Sequence, residues 1–245
     1  MNTDLNNIAH LCGTVESELK YSHDIFGESF YVFRLKVERL SGQADVLPIT
    51  VSERLMHEEI SEGQRLCVDG QVRSYNIVHE NKSKLVLQLF AKEVYLAESG
   101  LPDENSIYLQ GFVCKKPIYR VTPFSREITD LLLAVNRAYG KSDYIPCICW
   151  GRNARYCENL EVGQFMSITG RLQSRQYQKK LEDGSLEERT AYEVSVAKLC
   201  LTTAKRRPGN YVERSISDCF SLILSDVIIK NPLEIPLYRT SLLRE

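Results

Sequence analysis

The feature that most narrows what this chain can become is an internal repeat of about one hundred residues. "HLCGTV" at 10–15 returns as "YLQGFV" at 108–113. Arg39, Asp45 and Pro48 recur as Arg137, Asp143 and Pro146, each 98 residues further on. "ISEGQRLCVDGQVRS" at 60–74 returns as "LEVGQFMSITGRLQS" at 160–174, a displacement of 100. Similarity that keeps its order and spacing this well means two copies of one structural unit. At 245 residues the chain is long enough for each copy to bury a core of its own.

Each copy reads as β-rich. A strand ends near the glycine of "CGTV" or "QGFV". A second ("FYVFRLKVER", "ITDLLLAVNR") and a third through the proline follow, then a fourth into "G-x-h-x-S" and a fifth ("KLVLQLFAKEV", "TAYEVSVAKL"). A short helix is expected between strands three and four, at "ERLMHEE" and "ARYCENL". That order is the order of the OB-fold, a small Greek-key barrel. The expected fold is therefore all-β, with two tandem five-stranded OB-fold barrels at 1–100 and 101–210. The Gly, Pro and acidic residues of "AESGLPDENS" mark the linker. Residues 211–245 form a C-terminal extension whose apolar start, "YVERSISDCFSLILSDVII", suits a helix.

Comparing the copies orients their strands, because side chains two apart in a strand share a face. In "DVLPITVS" the apolar set Leu47, Ile49 and Val51 must be buried. Adding 98 sends Ile145, Cys147 and Cys149 inward and turns Tyr144 and Trp150 outward. In the fourth strand Leu66, Val68 and Val72 match Met166, Ile168 and Leu172, so Arg171, Gln173, Arg175 and Tyr177 are expected to face away from the core.

Charge separates the two copies. Residues 1–100 carry 10 basic against 15 acidic side chains, whereas 101–210 carry 17 against 12. Only the second copy suits a polyanion. An outward sheet face that combines aromatic rings with arginines is what single-stranded nucleic acid requires, since bases stack on rings and cations follow phosphates. The alternative is that Tyr144, Trp150 and Tyr177 pack under a loop, a partner subunit or the other copy.

Residues 105–199 contain "LQGFV", "P-x-x-R-x-T", "LAVNR", "DYIPCICWG", "GQFMSITGRLQSRQY" and "YEV". In this combination the segment resembles the bacterial single-stranded DNA-binding protein family along nearly the whole OB domain. The resemblance implies base stacking by Tyr144, Trp150 and Tyr177, with Tyr139 as a further aromatic. It implies backbone contacts by Lys115, Arg120, Arg137, Arg171 and Arg175. Lys116 adds charge beside Lys115. For Arg120 a bridge to a nearby carboxylate is the competing role. The first copy carries Val46, Ser52, Ile77 and Gln71 where the second has Tyr144, Trp150, Tyr177 and Arg171, which makes it the structural or dimerising copy. Only its Arg73 and Tyr75 hint at a residual surface.

The familiar members of that family surround DNA with four barrels, so two tandem barrels imply a homodimer. The extension ends "KNPLEIPLYRTSLLRE" without the family's acidic tip, leaving it as a different surface for replication or repair proteins. Two other readings stay open: an assembly factor whose OB surfaces bind proteins, and a binder of single-stranded RNA.

Other classes find little support. The four histidines show no metal-ligand spacing, and there is no P-loop or dinucleotide fingerprint, so neither an enzyme nor a cofactor is expected. The eight cysteines include no C-x-x-C and read as reduced, mostly buried thiols. No apolar run of membrane-spanning length and no signal peptide occurs in the sequence, so the expected location is the cytoplasm, with the nucleoid.

Overall fold

The computed structural model describes residues 6–57, 59–79, 82–180 and 184–201. The C-terminal extension lies outside the described residues. Strands β1 (Asn7–Val15), β2 (Lys20–Ile25), β3 (Glu28–Glu38), β4 (Ala44–Ser52), β5 (Arg65–His79) and β6 (Lys82–Leu96) make the first barrel. Strands β7 (Glu104–Val113), β8 (Ile118–Val121), β9 (Glu127–Asn136), β10 (Ser142–Trp150), β11 (Phe165–Lys180) and β12 (Leu186–Leu201) make the second. Each barrel is the expected five-stranded OB arrangement plus one short strand, β2 or β8, which hairpins onto β3 or β9.

The strand order is β2-β3-β4-β6-β5-β1-β7-β11-β12-β10-β9-β8, symmetric about the β1–β7 pair. Pairing of β1 with β3, and of β7 with β9, closes the barrels. A glycine sits at each closure. A Cβ on Gly13 or Gly111 would collide with the carbonyl of Lys36 or Ala134, so only glycine lets the first strand approach so closely. Antiparallel pairing of β1 with β7, from Asn7↔Leu109 to Cys12↔Glu104, joins the barrels edge to edge and leaves neither first strand unpaired.

The core follows the repeat. Leu47, Ile49 and Val51 on β4 and Ile145, Cys147 and Cys149 on β10 are buried, as are Leu66, Val68 and Val72 on β5 with Met166, Ile168 and Leu172 on β11. The connection after the third OB strand differs between copies. Helix α1 (Arg152–Glu158) buries Ala154 and Cys157, and Thr129 donates to the Ala154 carbonyl at 2.8 Å. In the first barrel the expected helix is a single 3-10 turn, Glu53–Leu55, with no buried residue. Seven residues separate Ser52 from Ile60, but nine separate Trp150 from Leu160. The shorter connection has too little chain for two helical turns.

A second correction concerns the cysteines. Cys12 and Cys67 lie directly opposite each other on β1 and β5 and are joined by a disulfide. Cys147, Cys149 and Cys157 are buried free thiols, as expected, and burial raises the Cys147 pKa.

A reciprocal clasp binds the barrels beyond the β1–β7 seam. The Ser174 N–H donates to Asp45 Oδ1 at 2.8 Å and the Val46 N–H to Ser174 Oγ at 3.1 Å. With the copies exchanged, the Ser74 N–H donates to Asp143 Oδ1 and the Tyr144 N–H to Ser74 Oγ, both at 2.7 Å. Arg39 holds Asp45 through Nε at 2.7 Å, and Arg137 holds Asp143 through Nε at 2.7 Å.

Candidate nucleic-acid interface

A groove of about 1330 Å³ runs along the second barrel where it meets the first. Trp150 ends β10 at one side of it, 38% exposed. Gly151, at φ +53°, stops the strand there and starts α1, which keeps the indole at the rim. Arg171 and Arg175 enter from β11, just past a bulge at Thr169/Gly170. Such a bulge re-aims the side chains that follow it.

Among the described lining residues the groove holds five arginines (Arg34, Arg39, Arg126, Arg171 and Arg175) and one carboxylate, Glu16. Arg39 is committed to Asp45. Arg171 is not: its Nη2 reaches Gln173 Oε1 at a long 3.3 Å, and its buried Nε has no hydrogen-bond partner. Burial, and then the neighbouring Arg39, depress the Arg171 pKa, while Asp45 opposes the shift. A guanidinium held beside another, with an N–H unsatisfied, is a site for an anion.

The groove therefore unites three of the expected residues, Trp150, Arg171 and Arg175. Tyr144 is half-buried on β10, three pleat repeats from Trp150, and lies outside the groove lining. Lys115 and Lys116 follow β7, the first half-buried and the second exposed, and Tyr139 is fully exposed in a 3-10 turn at Ala138–Gly140. None of these lines the groove.

Two expectations need correction, those for Tyr177 and Arg137, and for Arg120 one of the two open roles is the one seen. Tyr177 is only 5% exposed: Arg175 lies over its ring at 5.8 Å and its cross-strand neighbour Arg189 lies beside it, so the ring offers no free stacking face. Arg137 is taken up by Asp143 and the Ser74 carbonyl, as a bond of the clasp. Arg120 grips Asp130 through two bonds, at 2.8 and 3.2 Å, which is the carboxylate-bridging alternative. In the first barrel Arg73 is likewise bound to Asp143 at 3.0 Å.

Sequence reasoning missed Arg34 and Arg39, because both belong to the acidic first copy and reach the groove only through inter-barrel docking. It also missed Phe124, 86% exposed in the β8–β9 turn two residues before Arg126. An aromatic beside Pro123 in a turn, with an arginine close behind, was the available signal.

Comparison with known proteins agrees with this fold. Residues 104–202 match the model of the single-strand binding protein family. Single-stranded DNA-binding protein 1 of Staphylococcus aureus (strain COL) is 35% identical over 83 residues, 31% of this chain and 50% of that protein. Single-stranded DNA-binding protein A of Bacillus subtilis (strain 168) is 34% identical over 83 residues, 31% of this chain and 48% of that protein. The chain thus spans about half the length of the curated relatives it matches. The crystal structure of the wild-type single-stranded DNA binding protein from Thermus aquaticus superposes with a TM-score of 0.63 at 21% identity, over 83% of this chain and 96% of that one. A deletion mutant of that protein gives a TM-score of 0.66 at 20% identity, over 83% and 98%. That likeness shows the fold, and its extent takes in both barrels. Residues 104–202 are accordingly similar to the single-strand binding protein family, and the chain as a whole has a tandem OB fold.

Proposed function

We propose that the chain is a non-enzymatic binder of single-stranded DNA, with the groove of the second barrel as its site. The observation that carries the reading is the meeting of a rim tryptophan with an arginine that has an unsatisfied buried N–H. Trp150 stacks a base, Arg171 and Arg175 take phosphates, and Arg126 and the exposed Phe124 extend the surface past the rim. Tyr144, Lys115, Lys116 and Tyr139 form an outer set that the strand meets beyond the groove. Single strands are favoured over duplex because stacking on Trp150 needs an unpaired base face.

The names of the relatives support DNA as the ligand, and the five groove arginines support a polyanion of some kind. The first barrel serves mainly as scaffold, and two copies of the chain assemble as a homodimer carrying four barrels. Such a protein works in the cytoplasm, where strands are exposed during replication, repair or transfer.

The test is affinity for a single-stranded oligonucleotide and for the matching duplex. Trp150→Ala is expected to weaken single-strand binding by about tenfold, within the ~1–3 kcal/mol of one stacked base, with a melting temperature close to wild type. Equal affinity for duplex, or indifference to Trp150→Ala, would exclude the reading. A monomeric mass at working concentration would exclude the dimer.

A further inference from the structure

Two cations at matching positions confront each other where the long hairpins of the barrels meet. Lys84 stands opposite Ile77 in the β5–β6 pair, and Arg189 stands opposite Tyr177 in the β11–β12 pair. Ile77 and Tyr177 are counterparts 100 residues apart. Lys84 is 6% exposed, and the Arg189 side chain 10%. Among the described residues, neither Lys84 Nζ nor Arg189 Nε and Nη1 has a hydrogen-bond partner.

Glu187 is the carboxylate at hand, bound to Arg189 Nη2 at 2.6 Å and itself 42% exposed. Among the described residues, one carboxylate against two cations leaves positive charge uncompensated in a place with little water. Such an arrangement is costly unless an anion completes it. Burial, with Arg189 adding to it, pushes the Lys84 ammonium down to about 7, against the pull of Glu187.

Lys84 is reachable. Lys84 lines a cavity of about 230 Å³ together with Tyr75, Gln88, Arg34, Thr190 and Tyr192. The last three also line the arginine groove, so the cavity is a branch of that groove. Arg34 stands at the junction, exposed between the buried Phe33 and Leu35 on β3. Its counterpart in the second copy is the buried Leu132, so this gateway exists on one side of the molecule only.

We propose that the bound strand leaves the second barrel past Arg34 and seats a backbone phosphate between Lys84 and Arg189. This rests on the reading that the groove holds single-stranded DNA. It gives the first barrel a direct part in binding, through Arg34 and Lys84, that its net negative charge conceals.

The test uses the full chain and two oligonucleotides. One has about 8 nucleotides, within the site of a single barrel, and the other about 30, enough to span two. Lys84→Met keeps an apolar stem and removes an unpaired buried charge, so its melting temperature is expected to stay or rise. Its affinity for the long strand is expected to fall by about tenfold, the loss of one charge-assisted bond. The slope of log affinity against log salt should shrink by about 0.7, with the short strand bound as before. Arg34→Ala, an exposed change at the junction with the groove, should weaken the long strand more than the short one. Unchanged affinity of both variants for the long strand overturns the proposal, as does a fall in the melting temperature of Lys84→Met with no loss of binding. Failure of the short strand to reach Trp150 is a separate result, which strikes the groove itself.

Discussion

Ser74 and Ser174 hold each other's barrel. The N–H of Ser74 donates to Asp143 of the second at 2.7 Å, and the N–H of Ser174 donates to Asp45 of the first at 2.8 Å. Each carboxylate also binds the arginine six residues before it in its own barrel. Asp45 and Asp143 have no exposed surface, so every oxygen depends on these partners.

The carboxylates are therefore expected to be structural. Asp143→Ala leaves Arg137, Arg73 and the Ser74 N–H without their acceptor. It should lower unfolding free energy by about 3 kcal/mol, the range for breaking a buried pair from one side. Asp45→Ala should do nearly the same. Denaturant titration measures both, and a change under about 1 kcal/mol would mean that the β1–β7 seam alone joins the barrels.

Two arginines that look alike in sequence should separate in experiment. Arg171→Ala is expected to weaken single-strand binding and reduce the salt slope by about 0.7 with little change in melting temperature, since its buried Nε satisfies nothing in the protein. Arg137→Ala should lower the melting temperature and leave the affinity of the folded protein unaltered. Salt-dependent binding beside thermal melts decides the matter, and the opposite pattern would reverse the two roles.

That contrast shows what was legible beforehand. Alternation within β4 and β10 was enough to send Ile145, Cys147 and Cys149 inward and Trp150 outward, because burial of one sheet face is a local matter of period two. Arg137 was misread because its partners, Asp143 and the Ser74 carbonyl, include one from the other copy. Tyr177 does face away from its own barrel core, but Arg175 and Arg189 then cover it, and no strand pattern carries that information. The repeat held a clue: Arg39, Asp45 and Ser74 persist as Arg137, Asp143 and Ser174, and residues kept in both copies are the ones that clasp them. The residues proposed to bind the strand are those that differ, with Trp150 for Ser52 and Arg171 for Gln71. The Cys12–Cys67 bridge required the register of β1 against β5, which spacing along the chain does not supply.

Lys84 makes stability depend on pH. Among the described residues, the charged groups facing it are Arg189 and Glu187 on β12, with Arg34 on β3 and the Tyr75 hydroxyl on β5 lining the same cavity. Its folded pKa, about 7, lies below the ordinary lysine value of 10.5. Between those values the unfolded chain binds more protons, so stability should rise with pH across that window. The penalty is full below about pH 7. DNA-free protein should therefore become more stable from pH 7 to pH 9, and Lys84→Met should flatten this rise. A wild-type profile that is flat or falling there, matched by the variant, would show that Lys84 keeps an ordinary pKa.

Trp150 is the single tryptophan of the chain, so intrinsic fluorescence reports on the groove rim alone. The most direct measurement is titration of the full-length protein with a single-stranded oligonucleotide at several salt concentrations. Stacking of a base on the indole should quench the emission to saturation, with an affinity that falls steeply as salt rises. Emission unchanged at saturating oligonucleotide and low salt would contradict the assignment of Trp150, and with it the groove as the place where the strand is held.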